Sequence, residues 1–287
     1  MDRVALVDGT GLAYRAFHAL PATLRTRAGV PTNAAFGFAQ MFRKLFAGKR
    51  PAYLAVVFDA GAPTHRHAAD PAYKAHRPPM ASELRQQLPL IEALVAAHDV
   101  PILRVPGVEA DDVIATLTHQ ALAAGHEVWV VSGDKDFAQL VGPRVRQFDS
   151  TKEVVYDADR IRRRYGVPPE RFVDWLALVG DKSDGIPGVP GIGKQGAAEL
   201  LAECSLDQLL ASPPPGPRGD KLRTHAETAL RCRELARLRT DVPLPLGLEA
   251  LAVPEPSLAK LNAAYTDLEF YSLLSAEQLP THGAARL

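Results

Sequence analysis

The sequence predicts an α/β fold with a mostly parallel central sheet flanked by helices, followed by a C-terminal helical subdomain. Three observations point there. Short apolar runs alternate with amphipathic stretches over the first half of the chain, the pattern of parallel strands buried on both faces by crossover helices. Strand-like runs then stop at about Asp157 and helix patterns take over. Finally, nine acids follow or interrupt the apolar runs: Asp8, Asp59, Glu109, Asp111, Asp112, Asp134, Asp136, Asp181 and Asp184. Open α/β sheets bind ligands at the carboxyl ends of their strands, where Asp8, Asp59 and Asp134 fall.

In chain order, Val4 to Val7, Tyr53 to Phe58, Val100 to Val105 and Glu127 to Val131 read as strands, each a short, mostly apolar run. Asn33 to Phe46, Ser82 to His98 and Asp111 to Ala124 carry helical periodicity. Between the second strand and the second of these helices, residues 61–82 form a polar, Pro-bearing stretch long enough for a lid or clamp. Arg144 to Tyr156 adds a short hairpin. Helix patterns follow at Ala158 to Tyr165, Pro169 to Val179, Lys194 to Glu203, Ser205 to Ala211 and Lys221 to Arg237, with SPPPGPRG as a surface loop. The expected division is 1–156 as the α/β core and 157–287 as the helical subdomain, with Asp181 and Asp184 at the seam. The tail THGAARL reads as frayed.

The chain has 287 residues, 47% apolar and 23% charged, ordinary for a globular protein. No apolar stretch is long enough to span a bilayer, and the start lacks the layout of a signal peptide. Cys204 and Cys232 lack metal-ligand spacing, so the expected setting is reducing and cytoplasmic. A net charge of zero argues against nucleic acid only as an average. With the acids concentrated in one cation site, the remaining surface is mildly basic.

A sheet edge carrying many carboxylates repels itself unless cations neutralise it, and carboxylates suit Mg²⁺ or Mn²⁺ better than Zn²⁺. Helix starts and turns also favour acids on their own account, so no single pair decides the matter. Their convergence on one edge does. Two divalent ions roughly 3.5–4 Å apart polarise a phosphodiester and activate water, chemistry that rests on positioning and charge neutralisation. The run Gly185 to Lys194, GIPGVPGIGK, has the glycine spacing of a helix-hairpin-helix, about 179–203, which grips duplex backbone without reading sequence. Tyr73, Lys74 and Arg77 in the polar stretch suit a scissile phosphate and a stacked base, but composition alone favours an ordinary solvated loop. The basic run Arg160 to Tyr165 reads as a solvated helix face.

The motifs LVDGTGLAYRAFHAL, VVFDA, YKAHRPPM, GVEADDVIATL, SGDKDFAQLV and LVGDKSDGIPGVPGIGKQGA resemble, in order, the 5′-nuclease domain of bacterial DNA polymerase I, a relative of the flap endonucleases with a PIN-like core. The resemblance runs from Val4 to about Leu274. It implies a metal-dependent 5′-to-3′ exonuclease and flap endonuclease acting on 5′ flaps, nicks and gaps, in primer removal and repair. It implies that Asp8, Asp59, Glu109 and Asp111 serve one Mg²⁺ or Mn²⁺, and that Asp112, Asp134, Asp136, Asp181 and Asp184 serve a second ion and its shell. Lys74 and Arg77 match the basic residues of an arch over the active site, and Arg15 and Tyr73 match further substrate-contacting positions. Gly188, Gly191, Gly193 and Lys194 belong to the duplex-gripping hairpin, where the family often holds K⁺. The implied partners are branched or nicked DNA and a DNA polymerase, in cis or in trans. The implied setting is a monomer at the bacterial nucleoid, with no membrane. Gly185, Gly196, Gly61 and His65 depart from the usual Asn, Thr, Lys and Phe. The rival readings are a catalytically silent branched-DNA binding module and a small RNA nuclease. The first would lack some of the acids, and the second leaves the hairpin unexplained.

Overall fold

The structure, a computed structural model, describes residues 1–46, 50–61 and 63–274. Strand β1 (Arg3–Asp8) leads into α1 (Gly9–Ala19) and α2 (Asn33–Lys44), then β2 (Tyr53–Val57), α3 (His65–Ala69), α4 (Ser82–Ala97), β3 (Ile102–Leu103), α5 (Ala110–Ala123) and β4 (Glu127–Val131). Strands β5 (Val145–Asp149) and β6 (Val154–Tyr156) close the sheet. The helices α6 (Ala158–Tyr165), α7 (Phe172–Val179), α8 (Lys194–Leu200), α9 (Leu206–Ala211), α10 (Pro217–Thr224) and α11 (Ala226–Ala236) follow, and α12 (Leu258–Asp267) comes last.

The six strands run in the order β3-β2-β1-β4-β5-β6. The first five are parallel, and β6 returns antiparallel to β5 as the hairpin pattern requires. β1 is central, with Leu6 opposite Ala55 on one side and Val130 on the other. Alternation along the strands splits the core between two faces. Ala5 and Val7 pack with Leu12, Phe38, Ile91 and Leu94, whereas Val4 and Leu6 pack with Val113, Ile114 and Leu117 of α5. A third core gathers Ile161, Phe172, Trp175, Leu176, Ile192, Leu206 and Leu222 from the helical layer. Because the chain builds outward from β1 to β3 and then restarts at β4, the crevice beside β1 lies where crossovers diverge, the usual ligand position in such sheets.

Three helices escape the periodicity reading: α1, whose start holds two glycines, the five-residue α3 within residues 61–82, and α12. The single helix expected from Lys221 to Arg237 is two, broken at His225. Past α11 the chain returns to the sheet. Leu238, Val242, Leu248 and Leu251 join the α5 face, and Leu261, Tyr265, Phe270 and Leu273 join the opposite one.

Candidate active site

Asp8 ends β1, while Asp59 and Asp134 lie just beyond β2 and β4, its two neighbours in the sheet. Parallel strands in register place the three acids side by side. Asp8 also caps α1, accepting from Gly11 N at 2.7 Å and from Ser132 Oγ at 2.8 Å. A Cβ on Gly11 would sit 2.1 Å from Asp8 Oδ2, so the second glycine of the DGTG motif is needed by the cap. Asp59 Oδ1 accepts from Ala110 N at 2.9 Å and ties the end of β2 to the start of α5, the helix that brings in Glu109, Asp111 and Asp112. Ser132 Oγ receives Asp134 N at 3.0 Å, and Asp134 Oδ1 receives Asp136 N at 3.0 Å. Asp181 and Asp184 arrive from the turn after α7. That turn is closed by the reciprocal pair Asp181 N to Ile186 O at 2.7 Å and Ile186 N to Asp181 O at 2.8 Å.

Electrostatics follow from this crowding. Burial, together with the charges of Asp59 and Asp134, pushes Asp8 up to about 6. Burial and the charges of Asp134, Asp8 and Asp59 raise Asp111 well above the usual carboxylate range. Asp136 is pushed to about 7 by burial and by Asp134. Asp181 goes the other way: burial alone would raise it, but hydrogen bonds from Lys135 and Ser183 hold it below its ordinary value. Carboxylate oxygens of Asp136, Asp181 and Asp184 lie within 4.8 Å of one another. Asp136 Oδ1 is buried and takes no hydrogen bond, although Lys135 Nζ lies 3.2 Å away. An all-oxygen, mutually repelling donor set of this kind fits hard divalent cations.

The segment 63–82 brings Tyr73, Lys74 and Arg77 onto this cluster. Tyr73, expected to stack on a base, is 3% exposed here. Its ring meets His67 edge-on, and its single O–H lies between two carboxylate oxygens, 2.9 Å from Glu109 Oε2 and 3.1 Å from Asp184 Oδ2. Lys74 Nζ lies 2.6 Å from Glu109 Oε1 and 3.6 Å from Asp184 Oδ2, and Arg77 Nη2 is 2.6 Å from Asp184 Oδ1. Lys74 holds φ 53°, and its N–H donates to Asp184 O at 2.9 Å. Gly185, at φ +74°, sits so close to this loop that a Cβ would come within 2.7 Å of Ala72 O, so a side chain there would have to displace the loop. Arg15 pairs with Asp149 at 3.3 Å and presses against Gly133, next to Asp134.

Asp112 is in another environment. It is 0% exposed, and Arg66, 2% exposed, meets it with two bonds of 2.7 Å. Arg66 gave no signal in the sequence: it stands in a polar, Pro-bearing stretch, and its partners are 43, 46, 169 and 171 positions away.

In the helical layer, α7 and α8 flank the glycine turn. Gly188 (φ +71°) packs against Gly180 N and Leu178 O. Lys221 Nζ donates to Gly191 O at 3.0 Å, and Trp175 Nε1 to Lys194 O at 3.1 Å. Gly193 and Lys194 open α8. Lys135, Arg164, Lys182 and Lys194 line a cavity of about 830 Å³ beside Asp181. Arg160 and Arg164 of the basic run lie over the Tyr156 ring at 5.5 and 5.3 Å, so two of its cations are held rather than freely solvated.

Comparison with known proteins agrees with this architecture. Residues 3–166 match the model of the 5′-3′ exonuclease N-terminal resolvase-like domain, and residues 167–259 that of the 5′-3′ exonuclease C-terminal SAM fold. The chain is 38% identical to the 5′-3′ exonuclease of Aquifex aeolicus, over 96% of this chain and 94% of that protein. It is 39% identical to DNA polymerase I of Bacillus caldotenax, over 97% of this chain but only 33% of the polymerase, so it spans about a third of the length of that relative. Among solved structures, T5 5′-exonuclease bound to divalent zinc aligns with TM-score 0.70 at 24% identity, covering 93% of this chain and 98% of that one. The catalytic core of Rad2 in complex with DNA substrate aligns at 0.63 and 16% identity, covering 96% and 92%. Both show the same fold. On the strength of the two matched family models and the near full-length match to the Aquifex protein, the chain belongs to the 5′-3′ exonuclease family and is a nuclease.

Proposed function

We propose that this nuclease is a structure-specific 5′-to-3′ exonuclease and flap endonuclease, hydrolysing DNA at 5′ flaps, nicks and gaps in primer removal and repair. The observation that carries the reading is the convergence of acids from five chain segments on one sheet edge, under a loop whose Lys74 and Arg77 reach into them. Asp8, Asp59, Glu109 and Asp111 would hold one Mg²⁺ or Mn²⁺, and Asp134, Asp136, Asp181 and Asp184 a second, whereas Asp112, expected with the second set, is engaged by Arg66 through both carboxylate oxygens. When bound, such a pair supplies the Lewis acidity and charge neutralisation that phosphodiester hydrolysis needs.

The chain's own residues do the rest. Lys74 and Arg77, paired with carboxylates here, are the donors that would turn to a scissile phosphate and orient it, and Arg15 would hold a neighbouring one. The turn between α7 and α8 would grip the downstream duplex through backbone N–H groups and Lys194, with K⁺ on its carbonyls. Gly191 O already meets a cation in Lys221. Water adds across the bond to the 3′ oxygen, leaving a 5′-phosphate and a 3′-hydroxyl. Bending of DNA at the junction would give selection by shape rather than base. The reading includes a cytoplasmic setting at the nucleoid and a DNA polymerase as partner, in cis or in trans. Among the described residues no helix is long and apolar enough to cross a membrane.

The test is Mg²⁺-dependent cleavage of a labelled 5′-flap DNA by wild type and Asp134→Ala. Incision at the junction that disappears in the variant supports the reading. Binding without incision in Mg²⁺ or Mn²⁺ overturns it in favour of a silent binding module, and preference for an RNA flap shifts the substrate.

A further inference from the structure

Arg66 is among the largest fully buried side chains of the protein, and it uses every donor it has. A guanidinium carries five N–H groups, and Arg66 makes five hydrogen bonds. Nε donates to Leu235 O at 2.8 Å, Nη1 to Asp112 Oδ2 at 2.7 Å and Glu109 Oε2 at 3.1 Å, and Nη2 to Asp112 Oδ1 at 2.7 Å and Arg237 O at 2.8 Å. Asp112 is equally committed. Besides the two bonds from Arg66, Oδ1 accepts from Arg239 N at 2.9 Å and Oδ2 from Glu109 N at 3.2 Å. An ionised carboxylate offers about four acceptor positions, and all are taken, which leaves no lone pair directed at a cation.

This arrangement joins three separate parts of the chain. Arg66 belongs to α3, at the base of the loop that covers the site. Glu109 and Asp112 belong to the start of α5. Leu235, Arg237 and Arg239 form the exit of α11, where the helical layer hands the chain back to the sheet. Val242 N, donating to Thr116 Oγ1 at 3.2 Å, extends the seam one turn further along α5. Of the side chains that donate to the Glu109 carboxylate, Lys74 and Tyr73 come from the loop that would meet DNA, whereas Arg66 is locked at every nitrogen.

We propose that Arg66 is a positioning residue: directly and through Asp112 it fixes the Glu109 carboxylate in the acidic cluster and fastens it to the exit of the helical layer. Asp112 on this view serves Arg66 rather than an ion. The inference rests on the nuclease reading above, and it places a mechanical link between the layer that would grip duplex DNA and a carboxylate that would hold a cation. Groups that orient a metal-holding side chain typically contribute 10–100-fold in metal affinity or activity.

The test uses the full chain in three forms: wild type, Arg66→Lys, and Arg66→Met combined with Asp112→Leu. Lysine keeps the charge but cannot span the carboxylate and both carbonyls. The double variant replaces a buried ion pair by apolar groups, a change often neutral for stability, whereas removing Arg66 alone strands a buried charge. Thermal melting, Mn²⁺ binding by calorimetry, flap-DNA affinity and single-turnover cleavage are measured on each. Expected are Mn²⁺ binding at least about tenfold weaker and cleavage slowed by about 10–100-fold with flap affinity unchanged, persisting in the double variant even where its melting matches wild type. Either variant, folded, binding Mn²⁺ and cleaving like wild type overturns the proposal. Tighter Mn²⁺ binding by Arg66→Lys also overturns it, because it would mean that Asp112, once freed, is an ion ligand. If wild type binds Mn²⁺ but cuts no flap, the nuclease reading fails separately, and the Mn²⁺ titrations still decide the role of Arg66.

Discussion

Lys135 Nζ lies 2.5 Å from Asp181 Oδ2 and 3.2 Å from Asp136 Oδ1, inside the group formed by Asp136, Asp181 and Asp184. Burial would lower its pKa, but the neighbouring carboxylates raise it, so it stays charged. It is therefore an internal counter-ion in the position where a divalent cation would neutralise the same acids. Two cations about 4 Å apart repel by some kcal/mol even at an effective dielectric of 20. The Lys135 side chain is one-third exposed, which discounts that figure. Lys135→Met should tighten Mn²⁺ binding by about tenfold, and it should lower the melting temperature only when Mn²⁺ is absent, by a few degrees. Calorimetry and paired melts read both, and an unchanged Mn²⁺ affinity would show that Lys135 and the ion do not compete. At this scale the acids were legible because each sits beside an apolar run. Arg66 was not, because a buried arginine in a polar stretch reads like a surface one until the carboxylates facing it are placed by the fold.

At the scale of elements, strands buried on both faces announce themselves as unbroken apolar runs, and β4 falls on the span its sequence indicates, Glu127–Val131. Elements whose stability comes from tertiary contact are harder to read. The helix α1 opens with Gly-Thr-Gly and depends on the Asp8 cap, and α3 is a single turn held by Arg66. Glycine spacing in the turn after α7 was legible, but which glycines are sterically required was not. At Gly188 the φ is +71°, and a Cβ would lie 2.5–2.8 Å from backbone atoms of Leu178, Val179 and Gly180. At Gly193 nothing lies within 4 Å and φ is −90°. Gly188→Ala must therefore displace α7 from the turn, costing about 1–3 kcal/mol, and should weaken flap binding. Gly193→Ala should cost about 1 kcal/mol or less. Urea melts and fluorescence anisotropy with Ca²⁺ in place of Mg²⁺ check the pair. Equal effects would mean that the turn is held by its glycines generally rather than by the Gly188 contact.

Across the whole molecule, the helical layer is spliced into the α/β layer at both ends. It leaves the sheet at Tyr156 and returns at Leu238, and α12 with the residues after it seals the face opposite α5. Leu261, Tyr265, Phe270 and Leu273 are all buried there against Phe38, Leu94 and neighbouring side chains. At about 1.5–3 kcal/mol for each large apolar side chain, the four contribute roughly 6–12 kcal/mol, an upper figure because an unfolded chain already hides some surface. That is comparable with the roughly 5–15 kcal/mol stability of a typical protein. Ending the chain after Pro254 should therefore abolish cooperative unfolding rather than trim an appendage. Phe270→Ala alone should cost about 3–5 kcal/mol. Urea titrations followed by far-ultraviolet circular dichroism distinguish the cases: a truncated chain melting with the wild-type midpoint would show that α12 rests on the sheet without stabilising it. Loss of the transition would mean that the surface carrying Asp8, Asp59 and Asp134 is held up from beneath by the last helix, and that the acidic cluster cannot be assembled by the first half of the chain alone.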